Sequence, residues 1–275
     1  MSKSRPVQPA VLPTQTGGNL PLARGGYFTY SAQPLHILIF LLPVLFVYEL
    51  GSTGVIGGGG VGAKLQAQDM LIRFFNLFGE AGLHLPAIAL VVVLLVQHLL
   101  SKASWTVRPT VLLAMVAESA FLTGPLIVLG VVLEPLVAAM ILQAGAVTPV
   151  GSTSALDETL QGIFLAFGAG LYEEMLFRLV LIALLHFIFC DVLGFRHKTG
   201  VVIAVVLSSL AFAWHHNEVV MSGGGINWRL TIFYTLAGAY FAVLFLARGF
   251  GIAVGVHLSY DLLVLVVMPG IQAQE

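Results

Sequence analysis

The stretch HLPAIALVVVLLVQHLL, residues 84–100, contains no Asp, Glu, Lys or Arg. As a helix it would be about 25 Å long, close to the roughly 30 Å hydrocarbon core of a bilayer. The whole chain has this character, since 58% of its 275 residues are hydrophobic and 9% are charged, against about 25% charged residues in soluble domains. The mean hydropathy is +0.98. So few charges cannot cover a soluble globule, whereas lipid needs no such cover. We therefore predict an all-α, polytopic membrane protein and exclude a soluble enzyme.

The other apolar stretches predict a transmembrane helix bundle of seven or eight spans. These stretches are 35–50, 109–132, 159–190, 199–216, 229–247 and 251–268. Residues 109–143 are too long for one crossing, and Pro125 and Pro135 favour a kinked span followed by a peripheral segment, the place where an eighth span would arise. Residues 64–79 place apolar side chains among Lys64, Gln66, Asp69 and Arg73, which predicts an interfacial amphipathic helix.

Three regions follow from this pattern. Residues 1–33 mix Pro, Gly, Gln and Ser without an apolar period and are predicted to be a flexible N-terminal tail. Residues 34–150 hold the N-terminal transmembrane helices with the interfacial helix. Residues 155–268 form a helical core that carries the candidate catalytic residues.

The distribution of charge restricts the partners and the orientation. A net charge of −1 provides no basic field for nucleic acid, so membrane lipid is the expected surroundings. With seven spans and a cytoplasmic N-terminus, eight basic residues lie on the cytoplasmic side and three on the other: Lys3, Arg5, Arg24, Lys102, Arg108, Arg196, Lys198 and Arg248 against Lys64, Arg73 and Arg229. The positive-inside rule therefore favours a cytoplasmic N-terminus.

Ionisable residues inside spans are costly and are usually paired or functional. Here they cluster in three segments: GAGLYEEMLFRLV with Glu173, Glu174 and Arg178, SSLAFAWHHNE with His215, His216 and Glu218, and GIAVGVHLSYDL with His257 and Asp261.

The first and third segments each contain a pair four residues apart. On a helix Glu174 can form an ion pair with Arg178, whereas Glu173 points about 100° away. Either both carboxylates share one guanidinium as a structural cluster, or Glu173 faces a wet cavity and can take a proton from water. His257 and Asp261 also share a helix face and either form a satisfied buried pair or contribute to a site.

The remaining histidines and the cysteine are predicted to be structural. His215 and His216 end an apolar helix, and as neighbours they are not expected to face the same cavity. The histidines at 36, 84, 98, 186 and 197 stand alone near span ends or in loops. Cys190, the single cysteine, forms no intrachain disulfide and is interpreted as a small buried apolar residue.

Two imidazoles and several carboxylates on separate helices could activate water and stabilise an oxyanion, as amide hydrolysis requires. Other protease chemistries lack their residues: there is no GxSxG sequence, no HExxH sequence and no GxGD partner for the Tyr260–Asp261 pair.

At these residues the sequence resembles the CPBP family of intramembrane proteases, which includes the type II CAAX prenyl endopeptidases and bacteriocin-processing or immunity proteins. The resemblance rests on EExxxR at Glu173, Glu174 and Arg178, FxxxH from Phe212 to His216, and the late pair of His257 and Asp261. It covers roughly residues 155–268.

The resemblance implies an intramembrane endopeptidase that cleaves a membrane-associated protein or peptide, including a CAAX-type prenylated one. Glu173 and His216 would activate water, His257 and the residue at 261 would stabilise the oxyanion, and Glu174 with Arg178 would act as a brace. It also implies a bacterial inner-membrane protein.

Asp261 departs from the family, whose prenyl proteases commonly carry Asn at this position. An ionised Asp cannot donate a hydrogen bond to an oxyanion, so it must be protonated, orient His257 or bind a metal. Glu173, His216, His257 and Asp261 could together hold a divalent ion such as zinc. Glutamate-type and metal-dependent catalysis both stay open.

The same buried polar cluster is also compatible with a non-enzymatic function. An immunity-type scaffold, or a carrier of small solutes or protons, would also place ionisable side chains inside the bundle. A hydrated pocket where Glu173, His216 and His257 converge would favour the protease.

Overall fold

The computed structural model describes residues 26–52, 85–133, 155–216, 219–220 and 224–268. The helices within these ranges are α1 (Tyr27–Ser31), α2 (Pro34–Ser52), α3 (Leu85–Ser101), α4 (Pro109–Leu122), α5 (Gly124–Val132), α6 (Ala155–Glu174), α7 (Ala183–His186), α8 (His197–His215), α9 (Trp228–Arg248) and α10 (Phe250–Leu262). Three π-helical segments continue them, Met175–Ile182, Phe187–Val192 and Leu263–Val267. The only β-pairing among the described residues is an isolated bridge between Val220 and Ile226.

The described helices confirm an all-α polytopic membrane bundle. Six helical stretches are long and apolar enough to cross a membrane: Pro34–Gly51, Pro109–Val132, Thr159–Val192, His197–His215, Trp228–Arg248 and Phe250–Val267. The shorter α3, with 17 residues, makes a seventh apolar helix. The predicted interfacial helix at 64–79 and the peripheral segment after residue 133 lie outside the described residues.

The third span is interrupted near the proline at which a kink was predicted. Helix α4 ends at Leu122 and α5 begins at Gly124, with a proline at its N-terminal turn. Between them the Thr123 hydroxyl donates to the carbonyl of Ser119 at 3.0 Å. Pro125 has no N–H to continue the helical ladder, so the hydrogen-bonded helix is interrupted here and the chain is helical on both sides.

The segment predicted as a tail contains a packed helix at its end. In α1 the side chains of Tyr30 and Ser31 are buried. The Tyr27 hydroxyl donates to Glu118 of α4, and Arg248 at the end of α9 donates to the same carboxylate at 2.6 and 2.8 Å. The expectation of a flexible segment up to residue 33 is therefore wrong for Tyr27–Ser31, because a composition argument does not register contacts with distant helices.

Helix α10 is the central helix of the bundle. Every residue from Phe250 to His257 is buried. Glycines allow its neighbours to come close: a Cβ on Gly170 of α6 would lie 2.9 Å from the backbone nitrogen of Leu258, and one on Gly255 would lie 2.3 Å from Ser119 Oγ. Small residues at such crossings are typical of membrane helix packing. The close approach places the carboxylate segment of α6 beside His257.

The α9–α10 joint is a single glycine. Gly249 has a φ of +90° and ψ of 173°, a conformation that residues with a Cβ rarely adopt. At the start of α9 the Asn227 side chain accepts a hydrogen bond from the backbone N–H of Leu230 at 3.3 Å, which satisfies one of the free N–H groups there. Helices α9 and α10 thus form an antiparallel hairpin, in which α9 packs against α8 and α10 packs against α6.

Candidate active site

Glu174 and Arg178 form the ion pair that their spacing predicts. Arg178 Nε lies 3.1 Å from Glu174 Oε2, and both side chains have zero exposure. The contact has ion-pair rather than hydrogen-bond geometry. Arg178 also donates from Nη2 to the carbonyl of Gly238 in α9 at 3.0 Å. The guanidinium therefore links the carboxylate span to α9 deep in the bundle.

The imidazole of His257 lies between two carboxylates. Its Nδ1 is 2.9 Å from Glu174 Oε1, and its Nε2 is 3.5 Å from Asp261 Oδ2. The second contact confirms that residues 257 and 261 share one helix face. The first contact was not predicted, because it joins two different spans. Glu174 thus contacts Arg178 through one oxygen and His257 through the other.

Glu173 and His216 approach each other from different helices. Glu173 Oε2 lies 3.8 Å from His216 Nε2, too far for a direct hydrogen bond. The other ring nitrogen, Nδ1, is 2.8 Å from the carbonyl of Phe212. A carbonyl only accepts, so Nδ1 carries the proton in this contact and Nε2 of the neutral ring presents a lone pair toward Glu173. Two acceptors therefore face a gap between them.

Aromatic rings hold the two imidazoles in place. His216 stacks on Tyr234 with 3.7 Å between ring centroids, and His257 stacks on Phe241 at 4.5 Å. Phe212 lies between the two histidines, 4.8 Å from one ring and 6.0 Å from the other, with the Arg178 guanidinium 4.6 Å above it. The rings exclude water from the brace and fix the imidazole planes.

Sequence reasoning did not identify Tyr234, Gly238 or Phe241. All three lie on α9, at spacings of four and seven residues, and therefore form one stripe along the helix. The stripe was readable in WRLTIFYTLAGAYF, but its three positions hold no Asp, Glu, Lys, Arg or His. Sequence reasoning also did not identify Glu118 and Glu49, two further acids inside spans. Glu118 pairs with Arg248, and Glu49 pairs with the Tyr172 hydroxyl.

The site is mostly buried but not sealed. The exposed fractions of the side chains are 9% for Glu173, 18% for His216, 17% for Asp261 and 6% for His257. A cavity of about 630 Å³ reaches the His216 end and is lined by apolar side chains, His215 and His216. Glu173, His257 and Asp261 are not among its lining residues. Of the three side chains predicted to converge on one hydrated pocket, only His216 therefore lines this cavity.

The expectation that adjacent histidines cannot face one cavity is wrong. Helix α8 ends at His215, and His216 adopts an extended conformation with φ −82° and ψ 115°. The 100° step between neighbours applies only within a helix. The turn at the helix end therefore brings both rings to the same cavity. Glu218, the third ionisable residue of this segment, lies outside the described residues.

The four candidate metal ligands do not form a metal cluster in this arrangement. They are arranged as two pairs, Glu173 with His216 at 3.8 Å and His257 with Asp261 at 3.5 Å. Among the described residues, the one group of three or more metal-ligating side chains whose donor atoms lie within 4.8 Å of one another is elsewhere. We therefore derive the chemistry of this site from the side chains alone.

The isolated histidines behave in two ways. His36 is buried and accepts from the backbone N–H of Arg108 at 3.2 Å, and His98 is buried with its ring against the edge of Trp105. Both histidines agree with the prediction that the isolated histidines have a structural role. His186 and His197 do not stand alone, since their rings approach to 2.9 Å across a turn. Their separation in sequence concealed this contact.

The fold and these contacts define an integral membrane protein with a carboxylate and imidazole cluster buried among its helices. Residues 155–263 match the family model of the Rce1-like type II CAAX prenyl endopeptidases, a segment that contains all six predicted site residues. This match confirms the family resemblance and supports an intramembrane endopeptidase of the CAAX type. Neither the curated proteins nor the solved structures contain a significant match.

Proposed function

We propose that this protein hydrolyses a peptide bond of a membrane-associated protein or peptide with a water molecule activated between Glu173 and His216. The observation that carries the proposal is the pair of facing acceptors, Glu173 Oε2 and His216 Nε2, at 3.8 Å. The family match over residues 155–263 supports the reaction class.

The acceptor pair suits a water molecule as the nucleophile. A water that donates one proton to Glu173 and the other to His216 keeps a lone pair of its oxygen free for attack on a carbonyl carbon. As the C–O bond forms, Glu173 takes the proton and the carbonyl π electrons move to oxygen. Transfer of that proton to the leaving amine then completes the cleavage.

His257 is the candidate donor to the oxyanion. With carboxylates near both of its nitrogens, the ring suits a form that donates from Nδ1 to Glu174 and from Nε2 on the other side. A developing oxyanion near Nε2 would share this N–H with the more distant Asp261 and would be stabilised by a preorganised donor. In this scheme Asp261 positions the ring and does not itself donate a hydrogen bond. An acid at this position is therefore compatible with the reaction, although the prenyl proteases commonly carry Asn there.

The Glu173→Gln variant tests the proposal directly. Purified protein is incubated with lipidated CAAX-type peptides and with membrane-anchored precursors, and the products are identified by mass spectrometry. We expect Glu173→Gln and His216→Ala to lower cleavage by at least about 10²-fold, the usual contribution of a general base. Thermal unfolding should show both variants folded.

Glu118→Gln is the matched control, because it alters a partly buried carboxylate that is paired with Arg248 rather than with an imidazole. It should cleave at the wild-type rate per folded molecule. Full activity in Glu173→Gln would contradict the proposal. Peptide binding by the wild type without any cleavage would favour the scaffold or carrier.

We also propose that the N-terminus faces the cytoplasm of a bacterial cell. If each apolar helix crosses once, the basic residues at the ends of α3 and α9 and between α7 and α8 share one side with the start of α4, as the positive-inside rule requires. Lys198→Cys in a Cys190→Ser background should react with a membrane-impermeant maleimide in inverted vesicles and not in spheroplasts.

A further inference from the structure

Three metal-ligating side chains meet at the turn between α7 and α8. We propose that His186, Cys190 and His197 bind one divalent transition-metal ion of the zinc class, and that this ion joins the ends of two spans. The donor atoms of the three side chains all lie within 4.8 Å of one another. His186 Nε2 and His197 Nδ1 are 2.9 Å apart.

The ligand spacing suits a metal. His186 and Cys190 are four residues apart and therefore share one helix face, and His197 begins the next helix. Zinc bonds of about 2.0–2.1 Å to nitrogen and 2.3 Å to sulfur place tetrahedral donors about 3.3–3.7 Å apart. The two imidazoles need to separate by a few tenths of an ångström, and the thiol sulfur already lies within 4.8 Å of both nitrogens.

The turn that carries the ligands is held by its own backbone. The N–H of Leu193 donates to the carbonyl of Ile188, and that of Phe195 donates to Phe189, each at 2.9 Å. Gly194 has a φ of +71°, which glycine adopts without strain. This closed turn returns His197 to His186 before any ion binds, so the cost of ordering the ligands is already met by the fold.

Gly200 provides the space for the thiol. A Cβ at this position would lie 2.2 Å from Cys190 Sγ. The thiol therefore occupies the volume that any other residue at 200 would fill. A substitution there can displace the sulfur while all three ligands remain.

The chemistry of the three donors favours zinc or a similar ion over Ca²⁺ and Mg²⁺. Two imidazole nitrogens and one sulfur are borderline to soft ligands, whereas calcium and magnesium select oxygen. On binding, the thiol releases its proton to solvent and the sulfur binds as thiolate. Three protein ligands leave a fourth position for water. His197 is exposed and Cys190 is half-buried, so an ion can enter from solvent.

The site is separate from the candidate active site. His186 follows Glu173 by thirteen residues on one continuous helical span, about 20 Å, and His197 precedes His216 by about 28 Å along α8. The ion would fix the far ends of the two helices that carry the Glu173 and His216 pair. Its expected effect is to stabilise the packing of these helices.

Cobalt binding to the full-length protein in detergent tests the proposal. After reduction and chelation, Co²⁺ should bind with one ion per chain that shows thiolate-to-metal charge-transfer absorption, and zinc should displace it. The absorption should vanish in Cys190→Ser. In His197→Gln, the zinc affinity should fall by more than about tenfold, since even outer-shell changes cost 10–100-fold. Zinc should raise the unfolding temperature of the wild type and not of Cys190→Ser.

Two variants separate this site from its alternatives. Gly200→Ala keeps every ligand and should weaken zinc binding by displacing the sulfur. Glu173→Gln should leave the charge-transfer band unchanged, which excludes the other acid and histidine cluster as its source. No thiolate band in the wild type, or a band that persists in the His186→Gln and His197→Gln double variant, would overturn the proposal and leave a simple hydrogen bond between the two histidines.

Discussion

The carboxylate of Glu174 contacts His257 Nδ1 at 2.9 Å across two spans. Its other oxygen lies 3.1 Å from Arg178 Nε within its own span. The second acid of the adjacent pair therefore connects the brace to an imidazole of the candidate site. Glu173, one residue earlier, is directed to His216 instead. The two neighbouring acids thus lie beside two different histidines, which belong to two different spans.

Removal of the Glu174 charge should destabilise the protein. Glu174→Gln leaves Arg178 buried without its counterion, and breaking such a pair from one side costs about 3–5 kcal/mol. We expect a lower unfolding temperature in detergent together with lost cleavage. An unchanged unfolding temperature would show that the pair contributes little.

A double variant separates stability from activity at the same pair. Glu174→Gln with Arg178→Met removes both charges, so no uncompensated ion remains in the bundle. Its unfolding temperature should exceed that of Glu174→Gln alone, while cleavage stays low because a neutral amide stabilises a His257 ring that donates from both nitrogens less well than a carboxylate does. Strict additivity of the two single changes would argue against a coupled pair.

Asp261→Asn should retain cleavage. The amide oxygen can accept from His257 Nε2 at the position where the carboxylate now lies 3.5 Å away. Asp261→Leu removes the acceptor and should lower kcat by about 10²-fold, the cost of misplacing a reacting group by about 1 Å. The initial rates of the two variants provide the comparison. If Asp261→Asn and Asp261→Leu lost the same fraction of the cleavage rate, the reaction would require the negative charge of Asp261 itself.

Tyr234→Leu should weaken the positioning of His216. The stacked rings are 3.7 Å apart, and an aromatic pair contributes about 0.5–1.5 kcal/mol. We expect kcat to fall by up to about tenfold with little change in KM, whereas Tyr234→Phe keeps the ring and more of the activity. A larger loss in the Phe variant than in the Leu variant would reverse this assignment.

Gly170→Ala should separate the spans that carry Glu173 and His257. The added methyl would approach the Leu258 backbone nitrogen to 2.9 Å, and such overpacking costs about 1–3 kcal/mol. Both the unfolding temperature and cleavage should fall. Gly124→Ala is the control, since nothing lies within 4 Å of its Cβ position. The higher helix propensity of alanine would by itself raise stability in both variants, so an equal fall in the two would contradict the assignment of the effect to the crossing.

The bundle itself was predictable because its cause is local. A long run without charges must lie in lipid, and the helix break beside Pro125 follows from one missing N–H. The pairs Glu174 with Arg178 and His257 with Asp261 were predictable for the same reason, since four residues along a helix return to the same face. Helix α1 was missed because what orders Tyr27 is a contact with Glu118, 91 positions away.

What the sequence by itself determined is therefore everything that depends on neighbours along one helix: the spans, the helix break beside Pro125 and the two pairs at a spacing of four. Only the tertiary structure decided that Glu173 faces His216, that Glu174 binds His257, that His215 and His216 share a cavity, and that His186 meets His197 near Cys190. The physical reason is that helix periodicity specifies the direction of a side chain about its own axis. Which axis lies opposite depends on crossings such as that of Gly170 with Leu258, which form only when the helices pack.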